Sequence, residues 1–152
     1  MAATWDDVSA IARELPAAEE GIRFGDPTWK VGKNVFVWVR PLRKRDHEEL
    51  GDAAPTGEII GASTLDVGEK LALIDENPRA FFTTSHFEGF PAVLIALDHV
   101  DPERLREVVT DAWLARAPKR LAAEFLAADR TQLSLRRGGR RSGGLSGLLS
   151  ES

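Results

Sequence analysis

Phe81–Leu94, FFTTSHFEGFPAVL, is the stretch whose reading decides the fold. It holds four of the seven phenylalanines and one of the three histidines. Apolar runs stand at both ends, and the polar segment Ser85–Gly89 lies between them. That layout predicts strand, loop, strand, with strands over about Ala80–Thr84 and Ala92–Leu97. The loop presents His86 and Glu88, and Thr84 leads into it.

The surrounding chain predicts more short strands and a few helices. Thr4 can cap a first helix, with Asp6 and Asp7 at its positive end and Trp5, Val8, Ile11, Ala12 and Leu15 at helical spacing. Gly21 and Gly25-Asp26-Pro27 punctuate an extended piece, Ile22–Phe24. Thr28–Val31 and Val35–Val39 flank Gly32-Lys33-Asn34, a hairpin pattern. Val35, Val37 and Val39 alternate with Phe36, Trp38 and Arg40, so both faces of that strand are largely apolar. The charged run Pro41–Asp52 reads as a loop or a single helical turn. Glu58–Leu65 reads as a strand, and Asp66–Glu76 as a helix with Val67, Leu71 and Ile74 inward. Asp101-Pro102 begins a helix with Leu105, Val108, Val109, Ala112 and Trp113 as its apolar stripe. A second helical segment, Pro118–Ala128, carries Leu121, Phe125 and Leu126, and Trp113 and Phe125 read as core.

The strand connections are short and lack regular strand–helix–strand alternation. The fold class expected is therefore α+β: an antiparallel sheet packed against helices, with an N-terminal helix and a helical C-terminus. Residues 1–129 read as one domain. Residues 130–152 are rich in Gly, Ser and Arg, and such a composition is expected to form a flexible tail.

Charge narrows the partners. Residues 1–129 carry 15 basic and 23 acidic groups, a balance of −8; residues 130–152 carry five arginines and one glutamate, a balance of +4. An acidic body repels a phosphate backbone at long range, so contact with nucleic acid requires a local basic patch or the tail. The chain has no cysteine, which excludes disulfides, thiolate metal sites and cysteine nucleophiles. No run of eighteen apolar residues occurs, so no membrane span is expected, and the lack of cysteine makes a reducing cytoplasm the plain reading. Three scattered histidines without close pairing imply no metal, and no motif implies a cofactor. No serine lies in a Gly-x-Ser-x-Gly setting, and no other catalytic signature occurs.

Phe81–Leu94, Pro27–Lys33 and Ala117-Pro118-Lys119-Arg120-Leu121 together resemble the MmcQ/YjbR family, over roughly Trp5–Phe125. The resemblance implies a compact α+β domain. It also implies a DNA-binding role, a label that rests on a double-wing analogy of fold. Ser85 stands where the family commonly has proline, and Phe87 and Phe90 where tyrosines are common, so this loop lacks two phenolic hydroxyls.

The candidate residues fall into two groups. Lys30, Lys33, Arg40, Arg43, Lys44 and Arg45 form the densest basic cluster of the body. Trp29 and Trp38 are interleaved with it and can stack on bases. Arg116, Lys119 and Arg120 straddle Pro118. These nine cations are the candidate nucleic-acid contacts. The plain alternatives are solvated lysines, core tryptophans, and cations that stabilise a helix C-terminus. The second group, Thr84, His86 and Glu88, is a candidate ligand loop; its alternative is a polar turn facing water.

The leading expectation is a non-enzymatic binding module with DNA as ligand. The other readings are a small-molecule binder or cryptic enzyme with a pocket lined by Phe87, Phe90 and Trp29, and a protein-interaction or chaperone-like module using an exposed sheet.

Overall fold

The computed structural model describes residues 3–140, with side chains to residue 129. Two compact units divide at Ala117/Pro118. The first carries helix α1 (Trp5–Arg13) and strands β1 (Ala18–Arg23), β2 (Asp26–Val31) and β3 (Asn34–Val39). After these come α2 (Lys44–Leu50), β4 (Ile59–Ser63), α3 (Val67–Glu76), β5 (Phe81–Phe82), β6 (Ala92–Ala96) and α4 (Pro102–Arg116). The strands form one sheet in the order β1-β2-β3-β4-β6-β5, with every neighbouring pair antiparallel. This is the α+β architecture expected from the sequence.

The helix ends follow local chemistry. Thr4 Oγ1 accepts from Asp7 N–H at 3.3 Å, and the Asp7 carboxylate accepts from Thr4 N–H at 2.8 Å, a reciprocal cap. Asp101 accepts from the N–H groups of Glu103 and Arg104, and Pro102 occupies the first turn, where its missing N–H costs nothing. The buried residues of α4 are Leu105, Val108, Val109, Ala112 and Trp113, the stripe read from spacing. α4 packs across β3 and β4, with α1 against it.

Three local readings change. First, Pro41–Asp52 contains a seven-residue helix, α2. It shows no apolar stripe because the group it buries is Asp46, in an ion pair with Arg40 at 3.0 Å. Second, α3 buries Lys70 and Leu73 while Leu71 is 56% exposed. The helix is turned by the Lys70 ammonium, which donates to the carbonyls of Phe87 (2.5 Å) and Phe90 (3.0 Å). Third, the alternation along β3 is broken. The pairing with β2 shifts by one residue, leaving Phe36 as an extra residue opposite Trp29 and Lys30. A bulge lets two successive side chains face one way, and Phe36 and Val37 are both fully buried.

The second unit is α5 (Lys119–Arg140). Its helix continues past Asp129, where the composition changes. Phe125 is half-buried. Residues 141–152 of the expected tail lie outside the described residues. No helix among the described residues is long and apolar enough to cross a membrane.

Candidate functional site

The β-sheet has a second face. Ile59, Ala92, Leu94, Ala96 and Phe87 form a small core there, with Trp38, Leu42 and Phe82 packed on it. The Trp38 indole lies directly over Gly61: a Cβ on that glycine would stand 2.3 Å from the ring. Phe87 is delivered by a short 3-10 turn, Ser85–Phe87, and its ring lies 6.5 Å from Trp38.

A groove of about 680 Å³ opens beside this cluster. Thr28, Val35, Trp38, Ser63 and Ala92 line it along the strands. Val35 joins Trp38 here rather than Phe36, as the β3 bulge requires. One wall is the turn between β1 and β2, with Arg23, Phe24 and Asp26. The opposite wall is His86-Phe87 and Phe90-Pro91. Lys33, Arg43 and Arg116 complete the rim, and Arg40 lies within it.

The lining is strongly cationic. It contains Arg23, Lys33, Arg40, Arg43 and Arg116, together with His86, against the single carboxylate of Asp26. The whole chain carries a net charge of −4. The groove therefore opposes the sign of the molecule, and concave low-dielectric walls concentrate that field.

Each cation is held differently. Arg116 Nε donates to Ser63 Oγ at 3.2 Å, and Asn34 Nδ2 donates to the Arg116 carbonyl at 3.1 Å. The end of α4 is thus tied to the β2–β3 turn. Arg40 is 7% exposed; its Nη1 donates to Asp46 Oδ2 at 3.0 Å and to the Pro41 carbonyl at 2.6 Å. Its guanidinium also stands 5.3 Å from the Phe87 ring centroid. Burial opposes ionisation of Asp46. Hydrogen bonds from Arg43 N–H and Arg40, with the charges of Arg40 and His86, outweigh it and hold the carboxyl below its ordinary value. Arg40 is therefore a framework residue, whereas Arg23, Lys33, Arg43 and Arg116 are exposed on the rim.

The β1–β2 turn is not among the site residues expected from sequence. Phe24 and Gly25 have φ of 53° and 85°, the two positive values of a tight type I′ hairpin. A phenylalanine there costs on the order of 1–3 kcal/mol. Its ring is 84% exposed beside the Arg23 guanidinium at 5.4 Å. The available signal is Gly25 directly after an extended run, which marks a two-residue turn with Phe24 at its tip.

The His86 wall is fastened from two sides. Ser85 N–H and Oγ donate to the Glu49 carboxylate at 2.9 and 2.7 Å. From beneath, Lys70 holds the Phe87 and Phe90 carbonyls. Burial pushes the Lys70 ammonium below its ordinary pKa, and the charge of Glu88 opposes that shift.

Of the residues expected from sequence, the groove gathers Lys33, Arg40, Arg43, Arg116 and His86. Lys30 is half-buried on β2 opposite Glu19, outside the lining. Lys44 and Arg45 are exposed on α2, also outside it. Lys119 and Arg120 belong to α5, where Arg120 stands 3.8 Å from Glu124. Thr84 is buried, and its hydroxyl has no hydrogen-bond partner among the described residues. Glu88 is exposed and outside the lining. Trp29, expected in a pocket with Phe87 and Phe90, is core, its Nε1 donating to Ser9 Oγ at 3.1 Å. Trp38 takes that place. Among the described residues, no group of three or more His, Asp or Glu is arranged to hold a metal ion.

Comparison with other proteins agrees with this architecture. The family model described as YjbR matches residues 13–115. "Uncharacterized protein Rv2570" of Mycobacterium tuberculosis is 45% identical over 128 residues, covering 82% of this chain and 97% of that protein. "Uncharacterized protein Mb2600" of Mycobacterium bovis matches with the same identity and coverage. The crystal structure of Deinococcus radiodurans protein DR2400, a DUF419 domain, superposes with a TM-score of 0.56. That match covers 73% of this chain and 76% of the other, at 19% identity, a likeness of fold. The matched span includes the whole six-stranded sheet and all but one residue of α4, and on that ground the chain belongs to the YjbR family.

Proposed function

We propose that the chain is a DNA-binding module whose contact surface is the groove between the Arg23-Phe24 turn and the His86 loop. The carrying observation is the excess of cationic side chains in one concavity of an acidic protein. Exposed Arg23, Lys33, Arg43 and Arg116 supply phosphate contacts, and Phe24 and Phe90 flank them with apolar rings. Phosphate contacts dominate affinity for nucleic acid and make it depend on salt.

Fluorescence polarisation of labelled DNA with the full chain tests the reading. Affinity should fall steeply as salt rises. Arg23→Ala, Lys33→Ala and Arg116→Ala should each weaken binding for all sequences and lower the logarithmic salt slope by about 0.7–0.9. Absence of binding to any DNA at low salt would refute it.

The groove volume favours one other reading. About 680 Å³ falls within the roughly 300–1,000 Å³ common for small-ligand sites. A phosphorylated or carboxylated small molecule fits the same cations, and such a ligand would bind without a strand attached.

A further inference from the structure

We infer that the groove takes an unpaired segment of single-stranded DNA, with bases stacked on Phe24 and Phe90 and the backbone tracked by Arg23, Lys33 and Arg116. This rests on the DNA reading above and specifies the form of the nucleic acid.

Shape is the first argument. Proteins read duplex DNA by inserting a convex element, a helix or a β-ribbon, into a groove of the double helix. Here the cations line a concavity instead. A concavity receives what protrudes from its ligand, and on nucleic acid that is an unstacked base. Lys44 and Arg45, on the exposed surface of α2, stand outside the lining.

Exposed aromatic surface is the second. Phe24 is 84% and Phe90 58% exposed, on opposite walls of the groove. Neither serves the core, and Phe24 is held at positive φ. An aromatic ring stacks on any base, and a phenylalanine brings no hydrogen-bonding group to choose between bases. Binding is therefore expected to tolerate sequence.

The third argument is reach. Arg23 is paired with Asp26 at one end of β2, and Lys33 lies in the turn beyond the other. The six residues between the strand's ends span about 17 Å. Cations that far apart engage separate, non-adjacent phosphates of one strand, whereas a mononucleotide meets one end only.

Polarisation with the full chain tests this, using an oligothymidylate of about twelve nucleotides, a length within the usual range of site sizes. Three competitors accompany it: a blunt duplex of equal length, an abasic strand of equal length, and thymidine monophosphate. The expected result is tightest binding to the oligothymidylate, with the duplex and the abasic strand each at least about tenfold weaker. Phe24→Ala and Phe90→Ala should each weaken it by about 5- to 150-fold, the range of a lost base–aromatic stack. Lys44→Ala should leave affinity within about twofold. Equal or tighter duplex binding overturns the inference while leaving the DNA reading standing, and so does an unaltered affinity in both phenylalanine variants. Competition by thymidine monophosphate at the same concentration as the strand overturns it in favour of a small ligand. No binding of any DNA at low salt sinks both.

Discussion

Gly61→Ala is expected to destabilise the fold through one contact, and the size of the effect can be worked from the structure. The added Cβ would stand 2.3–2.6 Å from three atoms of the Trp38 indole. An ordinary separation between carbons is about 3.5–4.0 Å, so the ring must retreat by more than about 1 Å. Trp38 is backed by Phe87 and packed on the small core of the second face, so that retreat disturbs packing. Overpacking of this kind costs about 1–3 kcal/mol. Exchanging glycine for alanine within a strand returns about 0.5–1 kcal/mol of backbone entropy. Taken at the middle of both ranges, the net expectation is a loss of about 1 kcal/mol. With a urea dependence of about 2 kcal/mol per molar, the unfolding midpoint should fall by about 0.5 M. In a Trp38→Leu background the ring is gone, and Gly61→Ala should become neutral or mildly stabilising. A double-mutant cycle in urea isolates the coupling. If Gly61→Ala costs as much in the Trp38→Leu background as with the indole present, or costs nothing in either, the glycine is not there for the indole.

Two further perturbations probe the walls of the groove. Lys70→Met keeps an unbranched side chain but removes the ammonium donor from the Phe87 and Phe90 carbonyls, which retain one backbone bond each, from Phe90 N–H at 3.0 Å and Ala92 N–H at 2.8 Å. Each hydrogen bond lost from the ammonium costs about 1.5–3 kcal/mol, partly offset by burying an apolar chain in place of a charge. A lower melting temperature and faster amide exchange over residues 87–90 are expected, and an unchanged exchange pattern would refute the clamp. Asp46→Ala strands the buried Arg40 guanidinium and should cost about 3–5 kcal/mol in chemical denaturation. Because the Asp46 carboxyl titrates below its ordinary 3.8 when folded, its contribution is present above that value. It is lost as pH falls through the folded value. The variant should therefore show a flatter decline in acid, and an identical acid limb would contradict the assignment.

Much of the fold is legible in the sequence because its signals are local. The α4 stripe, its Asp101-Pro102 start and the β2–β3 hairpin follow from spacing and turn residues. What stays hidden depends on side-chain partners that apolar spacing does not reveal. α2 looks like a charged loop because its buried group is a carboxylate, and its partner is the buried Arg40, six residues earlier. The inward face of α3 is misjudged from spacing because the residue it inserts is Lys70, whose carbonyl partners lie about twenty residues on. The groove is legible in its cations and in the pairing of Phe87 with Phe90. The choice of Trp38 over Trp29 turns on the β2–β3 register, in which Trp38 pairs with Thr28 and Trp29 with Val37, and nothing in the local pattern announces it. Arg23 and Phe24 escape notice because a phenylalanine in left-handed backbone is a conformation the residue type argues against.

The groove's two walls also differ in how firmly they are held. The His86 side is bolted to α2 through Glu49 and to α3 through Lys70. The Phe24 side is the tip of an edge hairpin: β1 pairs with β2 alone and is exposed at four of its six positions. Regions with so little buried contact open locally at small free-energy cost. One side of the groove is thus braced and the other hangs on a single strand pairing, so the hairpin is the part whose displacement would change the groove's width.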